Sequence, residues 1–249
     1  MDRDFRKGFI EIDFRTEPFD SAGRLLLRSA GIFFTNLPFV AAVTLVIYLP
    51  AKLALQLGCY LLDVPIEGIV SLLLIDFSDM VLSALVAPAI VYGLMTGFRT
   101  GRTAGAGESL RWGRRQWGKT LWNKFKVEIT VALWGALLIV PGMVAMVKLV
   151  FADAIVAIEA DRESQVLERS RTLSRGRRWR IFFVLAPLML LDLLATYLVL
   201  GGLTGVAHSR LAIALADSAL SVGGQWTTVA ILLMYLGVID TGQKRVKKL

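Results

Sequence analysis

Between Met80 and Phe98, between Ile129 and Val147, and between Val222 and Ile239 the chain carries no charged side chain. Gly31–Leu62 is interrupted only by Lys52, and Ile181–Leu203 only by Asp192. Runs this long leave few folds open. About 20 consecutive apolar residues cross the hydrocarbon of a bilayer as a helix, whereas the helices of soluble domains break their apolar stripe every few residues. The chain is 55% hydrophobic, above the roughly 45–50% of soluble domains. The sequence therefore predicts an all-α, multi-pass membrane protein.

Nothing is left over for a second folded unit. Residues 1–18 are polar and of mixed charge, and residues 19–249 read as a single membrane domain. The N-terminal residues show no basic stretch followed by an apolar one, so no cleaved signal peptide is expected. A lone cysteine, Cys59, forms no internal disulfide, and a lone histidine, His208, makes a zinc or haem site improbable. No cofactor is expected.

The positive charge is sorted along the chain. All but Lys52, Lys148 and Arg210 of the 28 Lys and Arg residues fall into four clusters. These occupy Arg3–Arg28, Arg99–Lys126, Arg162–Arg180 and Lys244–Lys248. Basic residues accumulate in cytoplasmic loops, which puts all four clusters on one side and an even number of crossings between each pair. Helices at about 37–57 and 80–98 fill the first interval, and helices at about 181–201 and 222–240 the last. The middle interval needs a hairpin. Pro141–Gly142 is a strong breaker, giving helices at about 122–140 and 142–159. The expectation is six transmembrane helices with both termini cytoplasmic, in a bacterial inner membrane. The glycine pairs Gly201–Gly202 and Gly223–Gly224 read as helix ends.

The third basic cluster contains the stretch "LERSRTLSRGRRWR". Asp161 can cap a helix there and Gly176 can end it. Val166, Leu167, Ser170, Leu173 and Ser174 recur at three- and four-residue steps, with arginines on other faces. A short amphipathic helix lying in the interface fits this spacing, and so do Phe19–Ser29 and the Trp-bearing middle loop. Arg169, Arg171, Arg175, Arg177 and Arg178 would then set orientation and meet anionic lipid headgroups. Basic residues interleaved with aromatics also bind single-stranded nucleic acid. Each cluster here abuts a spanning segment, however, and none has room for a folded binding module, so no nucleic-acid partner is expected.

Leu137–Leu185 resembles the membrane-domain family named after glycerophosphoryl diester phosphodiesterases, and related six-helix bacterial inner-membrane proteins. Pro141, Gly142, Glu159, Ser170, Leu173, Gly176 and Trp179 carry the resemblance, and the loop Val91–Arg115 is similar as well. The resemblance implies a six-helix bundle. In fused relatives the catalysis belongs to a soluble phosphodiesterase domain, and this chain has no room for one, so the resemblance carries no enzymatic activity to it.

Ionisable residues at membrane depth are costly and often functional. Counted along continuous helices, Lys148 and Asp192 fall at similar central depth, and a Lys148–Asp192 ion pair is one reading. A snorkelling lysine, with an aspartate that is protonated or faces an aqueous dip, is the other. Glu159 either binds an elbow arginine such as Arg162 or Arg178, or is solvated. Asp76 and Asp79 read as a solvated external loop. No Walker loop, HExxH, CxxC or GxSxG motif occurs. The sequence therefore favours a non-enzymatic accessory or scaffold protein in envelope or lipid-related processes. A small-molecule or lipid transporter is the alternative, and a membrane-embedded lipid enzyme the third reading.

Reporter fusions after Leu110, Gly142, Ser170 and Leu249 should read inside, outside, inside and inside. An inside signal at Gly142 contradicts the hairpin.

Overall fold

The computed structural model describes residues 22–63, 69–159, 165–206 and 210–246. Among them the chain is helical throughout, in the order α1 (Ala22–Thr35), α2 (Leu37–Leu61), α3 (Ile69–Thr100), α4 (Ala106–Leu137), α5 (Ile139–Leu149), α6 (Ala152–Ile158), α7 (Val166–Ser174), α8 (Arg178–Val206) and α9 (Arg210–Val246). Five helical segments are long and apolar enough to cross a membrane: Leu37–Leu61, Leu73–Thr100, Val140–Ile158, Arg178–Val199 and Arg210–Ile239. The protein is an all-α, multi-pass membrane protein. Asp161, His208 and residues 1–21 lie outside the described residues.

α1 is amphipathic. Leu25, Ser29 and Phe33, at four-residue steps, are its buried face. That face meets α9, where Phe33 stacks on Trp226 at 6.3 Å and the Trp226 Nε1–H donates to Ser29 Oγ at 2.9 Å. α3 and α4 form the longest antiparallel pair, turning through residues 101–105. Their axes come close at Gly113: a Cβ there would lie 2.5 Å from the Leu85 carbonyl oxygen. Small residues let membrane helices approach in this way.

Three helices run further than the apolar runs predict. α3 begins at Ile69 rather than near 80, α4 at Ala106 rather than near 122, and α9 at Arg210 rather than near 222. Gly223 and Gly224 lie inside α9, and Gly201 and Gly202 inside α8, so neither pair ends a helix. The basic stretch Arg111–Lys126 belongs to α4, packed against α3 rather than lying in a loop. Trp117 is held there, its Nε1–H donating to the Val81 carbonyl at 3.1 Å.

The expected hairpin forms, but its reversal falls before the Pro–Gly pair. Leu138 is extended (φ −161°, ψ 140°) and separates α4 from α5. Pro141 occupies the first turn of α5, where a missing N–H costs no bond. Gly142 makes the close contact, since a Cβ there would lie 2.8 Å from the Gly135 Cα on α4.

The expected helix 142–159 is two helices. The ladder breaks between Leu149 and Ala152, and α7 seals the break. The Ser170 hydroxyl donates to the Lys148 carbonyl at 2.9 Å and accepts from the Phe151 N–H at 3.2 Å. Ser174 also reaches the Lys148 carbonyl, at 3.4 Å. Ser170 and Ser174 are fully buried. One face of the elbow helix therefore packs into the bundle at the broken helix. Gly176 ends the elbow in the left-handed region (φ +78°), as the sequence predicts.

Ser170→Ala removes the hydroxyl, and both of its bonds, with little change in side-chain volume. The buried Phe151 N–H is then left unmet and the Lys148 carbonyl keeps only the longer bond from Ser174, at about 1–3 kcal/mol. Thermal unfolding in detergent should fall accordingly, while Thr172→Val on the exposed face leaves it unchanged. Equal midpoints for Ser170→Ala and the native protein contradict the sealing role.

Candidate functional site

The most deeply placed charge is Lys52, fully buried on α2. Its Nζ lies 2.6 Å from Asp79 Oδ1 of α3 and 2.7 Å from Asp217 Oδ2 of α9. Asp79 keeps a partly open flank, with 39% of its side chain exposed, whereas Asp217 is nearly closed at 12%. The cluster is held by charge. Buried Tyr48 lies one turn before Lys52 on α2 and feels both carboxylates. Gln56, one turn after it, is also buried. Lys52 thus joins three helices that are distant in sequence.

A cleft of about 550 Å³ lies beyond Gln56, lined by Leu53, Leu57, Tyr60, Arg210 and Leu211. It is largely apolar, with Gln56, Tyr60 and Arg210 as its polar groups.

Two further contacts between helices use charge. Lys124 Nζ on α4 pairs with Asp153 Oδ2 on α6 at 2.7 Å. Glu159 follows α6 and accepts a hydrogen bond from the Tyr235 hydroxyl of α9 at 2.6 Å. The same Glu159 oxygen faces Arg169 Nη2 of α7 at 3.5 Å. Glu159 therefore does bind an elbow arginine, and the partner is Arg169. Arg162 lies outside the described residues.

These contacts correct several expectations. Among the described residues Lys148 and Asp192 make no ion pair with each other. The depth count assumed one continuous helix up to Glu159, but the break at Val150–Phe151 places Lys148 beside the elbow helix. Asp192 instead approaches α9, its Oδ1 lying 3.4 Å from where a Cβ on Gly224 would sit. Asp79 is an internal partner, not a solvated loop residue, and Asp76 is helical as well. Arg169 turns inward, because the face of α7 that carries it meets Glu159. Arg171, Arg175 and Arg178 are exposed and Arg177 half-buried.

The motif residues separate into distinct roles. Pro141 and Gly142 shape the hairpin, Ser170 seals the break, Glu159 ties the elbow to α9, and Gly176 ends the elbow. Leu173 packs partly buried against the core. Trp179 is 74% exposed and stacks on Phe183 at 6.3 Å, forming an outward aromatic pair at the start of α8.

Sequence reasoning missed Lys52, Asp79 and Asp217 as a unit. The available signal was the isolation of Lys52 inside the longest apolar run. Among the described residues no group of three or more His, Cys, Asp and Glu side chains is arranged to hold a metal ion. The chain matches no protein-family model, no curated protein and no solved structure.

Removing one side of a buried charge contact leaves the other uncompensated, at roughly 3–5 kcal/mol. Lys52→Met should therefore lower the unfolding midpoint sharply, and adding Asp79→Asn with Asp217→Leu should recover much of it. Lys148→Met and Asp192→Leu should simply add, as unconnected sites do. Additivity in the first set, or recovery in the second, contradicts the assignment.

Proposed function

We propose that the protein is a non-enzymatic multi-pass protein of the bacterial inner membrane, serving as an accessory or scaffold in envelope or lipid-related processes. The observation behind this reading is how the internal charges are used. Lys52 joins α2, α3 and α9, Lys124 with Asp153 joins α4 to α6, and Glu159 joins α6, α7 and α9. Each contact links helices, as a clamp does. The resemblance of Leu137–Leu185 to the phosphodiesterase-associated membrane domains supports a lipid-related setting.

In this reading six helices cross the membrane and both termini are cytoplasmic. The end of α4, from about Trp122, pairs with α5 and makes the sixth crossing as a short or tilted helix. The basic first half of α4 lies at the cytoplasmic face. α3 has 32 residues, about 48 Å of helix against a hydrocarbon core of ~30 Å, so one end must project. The projecting end is the one packed against the arginines of α4. Asp79, ten residues from Ile69, then sits about 15 Å along α3, near the midplane. Exposed Arg171, Arg175 and Arg178 face anionic headgroups.

A transporter is the second reading. One ammonium against two carboxylates leaves the Lys52 cluster neutral only when it holds a proton or a cation, and a cleft lies beside it.

Complementation of a deletion strain separates the two. The triple change Lys52→Met, Asp79→Asn and Asp217→Leu should fold and restore the envelope phenotype of the strain. A stable variant that fails to complement, with proton-coupled solute flux present in native proteoliposomes and absent from its own, contradicts the scaffold reading.

A further inference from the structure

We infer that the cleft between the cytoplasmic ends of α3 and α4 is a binding site for a phosphoryl dianion, supplied by an anionic lipid headgroup or by soluble phosphate. The inference rests on the membrane placement proposed above. The cleft encloses about 670 Å³ and is lined by Tyr92, Glu108, Arg111, Trp112, Arg114 and Arg115.

Among the described residues the lining of this cleft carries more positive than negative charge. Arg111, Arg114 and Arg115 stand at i, i+3 and i+4 on α4, and all three are exposed. None makes a hydrogen bond or ion pair among the described residues. Like charges at these spacings repel. The one carboxylate in the lining, Glu108, keeps its charge while its Oε1 accepts from the Tyr92 hydroxyl at 2.7 Å, which leaves three guanidiniums against one carboxylate. Three guanidiniums on one helical face therefore await an anion. Their planar donor forks suit phosphoryl oxygens, which they bind in pairs.

The frame that carries them is rigid. Gly113 sits between these arginines and lets α4 press against the α3 backbone at Leu85. Tyr92 and Trp112 stack at 5.1 Å with 22° between their planes, giving the cleft a flat aromatic wall. A phosphoryl group meets the arginines while its glycerol or other carbon substituent lies against this wall.

The position suits a lipid. Tyr92 lies eight residues before Thr100, about 12 Å from the cytoplasmic end of α3. Further along α4, toward its apolar end, Trp117, Trp122 and Phe125 are exposed in turn. They offer an aromatic lane for an acyl chain below the headgroup. Three guanidiniums match two negative charges better than one, which favours a phosphomonoester or a two-phosphate headgroup over a single phosphodiester.

The test uses the full chain in lipid nanodiscs, with bound lipid read by native mass spectrometry after transfer to detergent. Discs contain phosphatidylcholine with equal fractions of diphosphatidylglycerol, phosphatidate and phosphatidylglycerol. The native protein should retain the first two anionic lipids in preference to the others. The triple change Arg111→Gln, Arg114→Gln and Arg115→Gln should lower that retention by about tenfold, the equivalent of one charge-assisted contact or more. The elbow variant Arg175→Gln with Arg178→Gln should retain them as the native protein does. Arg114→Gln alone serves if the triple variant does not fold, and should give a smaller loss in the same direction.

Inorganic phosphate is then titrated against the retained lipid. Retention against phosphate identifies the headgroup as the ligand. Displacement by phosphate, with phosphate protecting the native protein and not the glutamine variant from thermal unfolding, identifies soluble phosphate. Either result keeps the phosphoryl site. Equal retention by native and glutamine proteins overturns it, as does an equal loss in the elbow variant, which reads as undirected attraction to positive charge. Failure here leaves complementation untouched, so the two proposals fall separately.

Discussion

The Lys52 ammonium between Asp79 and Asp217 is the contact on which the arrangement of the bundle depends. A lone lysine at membrane depth costs about 2.5–3.5 kcal/mol on insertion scales. Two carboxylates within 3 Å offset that cost, and they come from helices brought together only by the complete fold. α2 is otherwise an apolar rod with many equivalent ways to pack. The charge fixes its rotation, since only one face carries Lys52 with Tyr48 and Gln56. Buried ion pairs are weak sources of stability, but they can specify register.

The same principle recurs at the broken helix. The break between α5 and α6 leaves a free N–H and a free carbonyl, which hydrocarbon cannot satisfy. Ser170 satisfies both, and the helix carrying it is joined through Arg169 to Glu159. Tyr235 reaches the same carboxylate from α9. The elbow is therefore docked into the bundle on one face while Arg171, Arg175 and Arg178 remain exposed on the others. Amphipathic spacing anticipated the helix and its glycine stop. It grouped Val166, Ser170 and Ser174 with Leu167 and Leu173, but it did not show that Ser170 would meet a broken helix.

Much of the fold was legible because apolar length is a direct signal. α2, α5 with α6, and α8 lie within a few residues of the runs that predict them. The errors share one physical cause. Charged residues were read as helix ends, so α3 was begun after Asp79 and α9 well after Asp217. Those carboxylates lie inside helices, where both pair with Lys52. A partner distant in sequence overrides a local polarity signal, and no one-dimensional pattern contains that partner. Lys148 and Asp192 failed for the converse reason: their depths were counted on straight helices, and one of those helices is broken. The basic half of α4 read as a loop because its charges masked a helix supported by close packing at Gly113.

A charge exchange tests the central contact most directly. Lys52→Asp alone places three carboxylates together, and Asp217→Lys alone places two ammonium groups beside one carboxylate. Both should lower the thermal midpoint of the purified protein. Combined, they restore one ammonium and two carboxylates with the positions exchanged. The account predicts that the exchanged protein recovers more than half of the summed loss. A loss in the double variant equal to the sum of the single losses would show that Lys52 and Asp217 do not hold α2 against α9.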